Sequence, residues 1–203
     1  MILYLVGICC VGKTTIGKML AEKIGYSFFD LDEEVQKYYG KPIERIQDEC
    51  LTMNEYRKKS SVVLDMLFSK NIDAVISGTP SGLKFSYYQV YKQHKDKNLI
   101  SVYLSDSLEN VLNRLTFYDK DSNPITVKLD ESLKKRYLKI IKADYNYFKN
   151  SYKRADFHLK IDNIRLENIP ELIIETTGIK ALIPINNKGN PYKISSLSNK
   201  NKP

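Results

Sequence analysis

The 203-residue sequence has no tryptophan, three cysteines, two histidines and no long apolar run. Three cysteines cannot form the disulfide framework of a small secreted protein, which favours a reducing compartment such as the cytoplasm. No apolar stretch reaches the roughly 18 residues that a membrane span requires, so we expect no membrane partner. The opening stretch, Met1–Val6, is apolar, lacks a basic flank and runs directly into a glycine motif, which predicts a strand rather than a signal peptide.

The net charge of +8 raises the question of a nucleic-acid partner, but the distribution of the charge argues against one. Five lysines and no acidic residue follow Glu175, and without these lysines the net charge falls to +3. A domain that binds phosphate groups can account for so small an excess of positive charge, so no nucleic-acid partner is needed to explain it. From about residue 179 the sequence is rich in Asn, Lys, Ser and Pro. We therefore predict one domain over residues 1–178 and a basic, disordered tail over residues 179–203.

Apolar strand-like runs alternate with helical patterns along the predicted domain. This order predicts an α/β fold of three layers, with a central parallel sheet of about five strands and helices on both faces. The predicted strands are Ile2–Val6, Ser27–Asp30, Ala74–Ser77, Leu99–Leu104 and Phe157–Ile161. The predicted helices are Lys13–Ile24, Glu33–Tyr39, Pro42–Glu49, Asn54–Phe68, Asp106–Leu115, Asp130–Tyr152 and Glu167–Thr176. The segment 117–129 has no clear period and contains Asp, Asn and Pro, which predicts a loop that serves as a lid.

The strongest motif is Gly7–Thr14, which fits G-x-x-x-x-G-K-[ST] between a predicted strand and a predicted helix. Its glycines allow a tight turn, so that the amides of Val11, Gly12 and Thr15 can point at the phosphates of ATP. Lys13 supplies a point charge for the β- and γ-phosphates. Thr14 offers a hydroxyl to Mg²⁺. The motif predicts a phosphotransferase that uses ATP and Mg²⁺.

Two adjacent cysteines, Cys9 and Cys10, lie in the variable part of this loop. One interpretation is that they are small side chains that fit the turn. The other is that the positive field of the loop lowers a thiol pKa and makes nucleotide binding sensitive to oxidation.

Two acidic residues, Asp30 and Asp32, follow the second predicted strand. Residues two apart on an extended segment share one face, so both carboxylates can point into the crevice beyond the carboxyl end of the sheet. One acid could support Mg²⁺, and the other could orient an acceptor hydroxyl and take its proton. Alternatively, both are solvated acids that cap the next helix.

At this point the sequence resembles shikimate kinase. The resemblance rests on the extended loop motif through Ala21, on Phe29–Asp32, on the string Gly40–Ile43 and on Arg57, and it is clearest over residues 1–60. It implies the P-loop kinase fold of that family and ATP-dependent phosphorylation of an alcohol. It further implies that Asp30 lies on the Mg²⁺ side, that Asp32 contacts the acceptor hydroxyls as a candidate base, and that Arg57 pairs with the acceptor carboxylate. The alternative for Arg57 is an ordinary surface arginine of a helix.

The acceptor site departs from the family pattern. A Gly-Gly-Gly turn is replaced by Gly78–Gly82, in which Gly78 can still offer a close-approach amide. An acid after the substrate arginine is replaced by Ser60 or Ser61, and a second substrate arginine, which should fall near Tyr147, is absent. Possible substitutes are Arg136 and Arg154.

The lid also differs from the family pattern. The family's lid arginine is missing, and the lid offers Lys120 together with Asp119 and Asp121, whose charges would oppose phosphates. Arg114, just before the lid, is predicted either to lie against the adenine or phosphates or to stabilise the dipole of its helix.

These observations predict a small-molecule kinase of the shikimate kinase type, with a small acceptor as its partner and a monomer or small homo-oligomer as its state. The alternatives are a kinase for another acceptor, such as a nucleoside, a nucleotide or a sugar acid, and a regulatory module that binds ATP without turnover. A GTP switch is disfavoured because the sequence has no guanine-reading N-K-x-D string.

Overall fold

The computed structural model describes residues 1–95 and 98–180 of the chain. Most of the predicted tail therefore lies outside the described residues. At the start of that segment Ile179 is 7% exposed and packs into the core. The hydroxyl of Tyr26 also lies 3.4 Å from the carbonyl oxygen of Lys180, which it donates to. The folded body thus extends at least to Lys180.

The strands and helices alternate along the chain. The strands are β1 Ile2–Val6, β2 Ser27–Asp30, β3 Ala74–Ser77, β4 Leu99–Ser105, β5 Phe117–Tyr118, β6 Pro124–Ile125 and β7 Phe157–Lys160. The helices are α1 Lys13–Ile24, α2 Leu31–Tyr39, α3 Ile43–Asp48, α4 Met53–Phe68, α5 Phe85–His94, α6 Leu108–Asn113, α7 Glu131–Tyr152 and α8 Ile169–Thr177, with a 3₁₀ turn at Leu166–Asn168. No helix within the two described ranges is both long enough and apolar enough to cross a bilayer.

Five of the strands form one parallel sheet in the order β2-β3-β1-β4-β7. All five residues of β1 are buried, because β1 lies in the middle of the sheet and helices cover both faces. The ladder places Asp30, the last residue of β2, opposite Ser77, the last residue of β3. The predicted three-layer fold with about five parallel strands is confirmed. The carboxyl ends of β1, β2 and β3 meet at one edge, where ligands of such folds bind.

Two local features differ from the sequence-based prediction. Helix α5 was not predicted, because its buried face consists of Tyr87, Tyr91 and His94 rather than aliphatic residues. Helix α6 begins at Leu108 and not at Asp106, because Ser107 caps it and accepts the amide of Asn110 at 3.1 Å.

The predicted lid is a short hairpin rather than an irregular loop. Strands β5 and β6 pair in antiparallel fashion, with Phe117 opposite Ile125. The carboxylate of Asp119 accepts the amides of Asp121 and Asn123, each at 2.9 Å, and so closes the turn. Asp119 therefore stabilises the hairpin turn, which explains an acidic residue at this position of the lid.

Candidate active site

The loop between β1 and α1 has the strained backbone of a phosphate cradle. Gly7 has φ 153°, and a Cβ there would lie 2.5 Å from the carbonyl oxygen of Leu104. Gly12 has φ 108° and caps α1, and Cys10 has φ 57° in the left-handed region. Residues that carry a side chain rarely adopt such φ angles, which explains why glycine occurs at positions 7 and 12. The loop therefore presents backbone, and not side chains, at the amino end of α1.

Lys13 is folded inward against this loop. Its side chain is buried, and Nζ donates to the carbonyl oxygens of Gly7 at 3.1 Å and Ile8 at 2.9 Å. Burial lowers the pKa of Lys13, and the nearby charges of Cys9, Asp32 and Asp30 oppose that shift. An ammonium held by two loop carbonyls lies where phosphate oxygens would bind. Val11 is fully buried, so only its backbone can contact a ligand. Thr15 is exposed on the first turn of α1 and can offer its amide or its hydroxyl.

A hydroxyl–carboxylate cluster lies beside the loop. The hydroxyl of Thr14 donates to Oδ2 of Asp30 at 2.7 Å and lies 3.3 Å from Oγ of Ser77, which is buried. These three oxygens come from α1, β2 and β3 and face one point at the carboxyl edge of the sheet. Mg²⁺ is typically held by one or two carboxylates, hydroxyls and substrate phosphates, so this oxygen set and the adjacent cradle fit Mg²⁺ with ATP.

Asp30 and Asp32 have different environments. Asp30 caps α2, because its Oδ1 accepts the amide of Asp32 at 3.0 Å. The Asp32 carboxyl is accessible to solvent, yet protein surrounds it closely. Desolvation and the charge of Asp30 raise the pKa of Asp32 to about 6, although Lys13 lowers it. Asp30 thus caps α2 and also faces Thr14, while the role of Asp32 as a base stays a prediction.

Next to Asp32 lies a group of buried hydroxyls. Tyr87 and Ser60 are joined by a hydrogen bond of 2.7 Å, and Thr79 is buried beside them. Burial, and to a lesser extent the charge of Asp32, raises the pKa of Tyr87 to about 12, although Ser60, Thr79 and Arg57 lower it. Since Tyr87 responds to both Asp32 and Arg57, both charges lie in its neighbourhood. Arg57 itself stacks on Phe85, with its Cζ 4.7 Å from the ring centroid.

The turn after β3 does not present Gly78 as predicted. The Gly78 amide donates to the carbonyl oxygen of Leu5 at 2.9 Å, so it continues the sheet ladder and is not available to an acceptor. A Cβ at Gly78 would lie 2.6 Å from the ring of Tyr4, which is the physical reason for glycine at this position. The turn is held by Tyr4, which donates to Gly82, and by Tyr152, which donates to the carbonyl oxygen of Pro80 at 2.8 Å.

The structure separates Arg136 from the other acceptor candidates. Arg136 is exposed near the start of α7, and the 11 residues to Tyr147 correspond to about 16 Å along the helix. Arg154 donates to the carbonyl oxygen of Leu83 at 2.9 Å and stacks on Tyr88, so it braces the turn. The position of Arg136 on α7, far from Tyr147, therefore does not support it as an acceptor ligand beside Arg57.

Arg114 and the lid lie on the nucleotide side. Arg114 forms an ion pair with Asp106, and its charge helps to lower the pKa of Cys10 in the loop. Arg114 is therefore near the phosphate cradle, and it also caps the carboxyl end of α6, so both of its predicted roles stay predictions. The lid is tied to α3, because Arg45 pairs with Asp121 at 3.1 Å and Ser122 donates to Glu44. Lys120 is exposed at the hairpin turn.

Several site residues were missed by the sequence reasoning. Ser77 could have been found as a polar residue that ends an otherwise apolar strand between two strands with motif residues. Tyr87 could not, because its contact with Ser60, which the sequence had singled out, joins two helices through residues 27 positions apart. The lid's ion pair with Arg45 joins positions 76 residues apart and also leaves no local signal.

Comparison with known proteins agrees with this geometry. The family model described as "Shikimate kinase" matches residues 9–176, which is well over half of the chain. The shikimate kinase of Persephonella marina is 30% identical over 160 residues, covering 79% of this chain and 88% of the relative. The crystal structure of shikimate kinase from Aquifex aeolicus superposes with a TM-score of 0.68 at 27% identity, over 88% of this chain and 96% of that one.

A structure of the Acinetobacter baumannii enzyme, solved in complex with shikimate, has a TM-score of 0.67 at 23% identity and covers 86% of this chain and 90% of that one. At that identity it shows the fold alone. The family model and the relative agree with the family resemblance of the sequence, and the Aquifex superposition agrees with the fold described above. The chain belongs to the shikimate kinase family of ATP-dependent phosphotransferases with an alcohol acceptor.

Proposed function

We propose that this chain transfers the γ-phosphate of ATP to a hydroxyl of shikimate. The observation that carries the proposal is that Asp32 and Arg57 both lie near the Tyr87 hydroxyl. Their charges shift its pKa in opposite directions, and Ser60, one helical turn after Arg57 on α4, forms a 2.7 Å hydrogen bond with it. An acceptor bound beside Tyr87 would place a hydroxyl near a carboxylate of pKa about 6 and an anionic group near a guanidinium. A carboxylated alcohol such as shikimate has both groups.

The proposed roles follow from the contacts. Thr14, Asp30 and Ser77 hold Mg²⁺, and Lys13 with the loop amides binds the phosphates. Mg²⁺, when bound, neutralises charge on the phosphate oxygens. Asp32 orients the acceptor hydroxyl and takes its proton, because a carboxyl with a pKa of about 6 is ionised at neutral pH yet basic enough to accept a proton. Arg114 lies on the nucleotide side of the loop, and Arg57 binds the acceptor carboxylate.

The lid gives a reason to consider a second function. Arg45 and Glu44 hold its acidic turn, the family's lid arginine is absent, and Lys120 is exposed. A lid without an inward cation stabilises the transferring phosphate less, so a module that binds ATP without turnover remains the alternative. A kinase for a nucleoside, nucleotide or sugar acid is the other alternative, since the departures concern the acceptor side.

ADP release separates these functions. Purified protein is supplied with ATP and Mg²⁺ and, in separate reactions, with shikimate, gluconate, a nucleoside or a nucleoside monophosphate. The proposal expects acceptor-dependent ADP release with shikimate. Release only with another acceptor identifies a different kinase, and ATP binding without release from any of them supports the regulatory module.

We further propose that the protein acts in the cytoplasm, as a monomer or small homo-oligomer, and that the kinase domain, predicted over residues 1–178, extends to Lys180. All three cysteines are free thiols, which suits a reducing compartment. Light scattering of the purified protein measures the oligomeric state, and limited proteolysis with mass spectrometry shows whether cleavage is confined to residues beyond 180.

A further inference from the structure

Two cations share one aromatic ring at the acceptor side of the site. The Cζ atom of Arg57 lies 4.7 Å from the ring centroid of Phe85, and Nζ of Lys84 lies 4.8 Å from the same centroid. Among the described residues, no carboxylate lies within 4 Å of either cation. The distances to the shared centroid place the two cations at most 9.5 Å apart. Like charges this close repel each other when no acid lies near them, and an anion that contacts both removes that repulsion.

One of these cations has a donor with no partner. The Nε atom of Arg57 is buried and forms no hydrogen bond with any described residue. Buried donors are almost always satisfied in native proteins, so an unsatisfied one needs an explanation. An anionic ligand that accepts from the guanidinium is the explanation that also accounts for the second cation.

The backbone holds Phe85, the residue after Lys84, in a costly conformation. Phe85 has φ 54°, in the left-handed region that bulky residues rarely occupy. Such strain persists where surrounding contacts enforce it and is concentrated at ligand clamps. Here the enforcing contacts are the bonds from Tyr152 to Pro80 and from Arg154 to Leu83, which fix the turn just before Lys84.

Lys84 also lies where the chain lacks an expected arginine. The second substrate arginine of the family pattern falls near Tyr147. In the structure Nζ of Lys84 lies 3.4 Å from the ring centroid of Tyr147 and donates to its carbonyl oxygen at 3.2 Å. A lysine from the turn before α5 thus brings positive charge to a position that α7 leaves uncharged, whereas Arg136 is about 16 Å away along the helix.

We propose that Lys84 is the second cation for the carboxylate of the acceptor, acting with Arg57 on the shared ring of Phe85. The proposal rests on the proposed function and makes it more specific. It places the carboxylate of the proposed acceptor at Arg57 and Lys84, with the reacting hydroxyl at Asp32. Lysine suits the second place, because its ammonium can donate to a carboxylate lone pair that a bidentate guanidinium leaves free.

The test compares Lys84→Met, Lys84→Arg and the control Lys92→Met. Methionine keeps an apolar stem on the rings of Phe85 and Tyr147 but removes the charge, and arginine restores it. Lys92 is an exposed lysine of α5 that lies over the ring of Tyr88, 5.4 Å from its centroid, and serves as the matched cation–π control. Melting temperatures of all variants are recorded first, and Lys84→Gln replaces Lys84→Met if the latter does not fold.

In steady-state ADP release with shikimate, Lys84→Met should raise the acceptor KM about tenfold or more, because a hydrogen bond to a charged group has about that effect on binding. The KM for ATP and kcat should change less than about twofold. Lys84→Arg should recover most of the acceptor KM, and Lys92→Met should match the wild type. An unchanged acceptor KM in Lys84→Met overturns the proposal, as does a fall in melting temperature and kcat without a change in KM.

A second measurement tests the role of Lys84 independently of whether shikimate is the acceptor. If the wild-type protein releases no ADP with shikimate, the proposed function fails, and thermal shift with benzoate and its neutral analogue benzamide decides the role of Lys84. The proposal expects benzoate to stabilise the wild type more than benzamide does, and expects that difference to be lost in Lys84→Met and kept in Lys92→Met. Equal responses of the wild type and Lys84→Met to benzoate overturn it.

Discussion

The hydroxyl of Thr14 donates to Oδ2 of Asp30 at 2.7 Å, across the gap between the first turn of α1 and the end of β2. The two residues are 16 positions apart and belong to two different motifs of the sequence. Their contact joins the phosphate loop to the acidic strand end, and Ser77 at 3.3 Å extends the group to β3. This relationship is the basis for the proposed Mg²⁺ site.

Removing the charge of Asp30 should weaken the use of Mg²⁺. In Asp30→Asn, we expect the Mg²⁺ concentration for half-maximal ADP release to rise about 10- to 100-fold, as for residues that hold or orient a metal's ligands. Stability should change little, because asparagine caps a helix about as well as aspartate. The control Asp65→Asn removes a carboxylate that pairs with His94 away from the loop. If Asp30→Asn and the control have the same Mg²⁺ dependence, Asp30 does not support the ion.

The raised pKa of Asp32 predicts a pH dependence of the rate. The proposed base must be ionised, so kcat/KM should rise with pH and level off above the pKa of about 6. Asp32→Asn should lower kcat by about 100-fold or more and remove this limb of the profile. A profile of the wild type that is flat between pH 5 and 7 would show that another group takes the proton.

The same pKa predicts an effect on stability with a defined sign. The pKa of Asp32 is raised from 3.8 to about 6 by folding, so its contribution to stability is present below pH 3.8 and is lost as the pH rises through 6. Asp32→Asn should therefore melt about 1–3 °C above the wild type at pH 7.5 and show no gain near pH 4. The shift is small because the carboxyl is accessible to solvent. A gain of equal size at both pH values would contradict the assignment.

The paired thiols of the loop should differ in reactivity. The Sγ atoms of Cys9 and Cys10 are 3.5 Å apart, and a hydrogen bond from Cys9 lowers the pKa of Cys10 to about 6, with help from Lys13. We expect iodoacetamide to label Cys10 at neutral pH, with a half-maximal rate near pH 6, and Mg²⁺ with ATP to protect it. Labelling is followed by peptide mass spectrometry, with Cys10→Ser as the control. Labelling that ATP leaves unchanged would remove the case for oxidation-sensitive nucleotide binding.

Gly78→Ala should disturb the acceptor turn through the core. The added Cβ would lie 2.6 Å from the ring of Tyr4, which is fully buried, and such overpacking costs about 1–3 kcal/mol. Because Tyr4 also bonds to Gly82 in the same turn, the acceptor KM should rise together with the loss of stability. Gly40→Ala is the control, since Gly40 has φ 64° but no atom within 4 Å of the new Cβ. An unchanged acceptor KM in Gly78→Ala would show that the turn does not shape the acceptor site.

The sequence was sufficient for the nucleotide half of the molecule. The bounds of β1, α1, β2 and β3 agree residue for residue with the prediction, because each apolar run is limited by a glycine motif or an acidic pair. Short-range rules apply there: the P-loop, its preceding strand and its following helix lie within 24 consecutive residues. Helix α5 was not predicted, because Tyr87 and Tyr91 were not recognised as part of an apolar face.

The acceptor half was less predictable, for a physical reason. Its contacts join residues that are far apart in the chain, such as Lys84 with Tyr147 and Arg45 with Asp121. Whether the Gly78 amide faces a ligand or the strand beside it depends on the sheet register, which no local pattern records. The resemblance singled out Arg57, but its stacking on Phe85 joins residues 28 positions apart, which no local pattern signals.

The most direct test of the central claim is calorimetric titration of the protein with a nonhydrolysable ATP analogue in the presence of Mg²⁺. We predict one bound nucleotide per chain in the wild type, and binding weakened about tenfold or more in Lys13→Ala, because the buried ammonium that lies at the phosphate position is removed. Melting temperatures of both proteins confirm that each is folded. A folded wild-type protein that takes up no nucleotide would contradict the account.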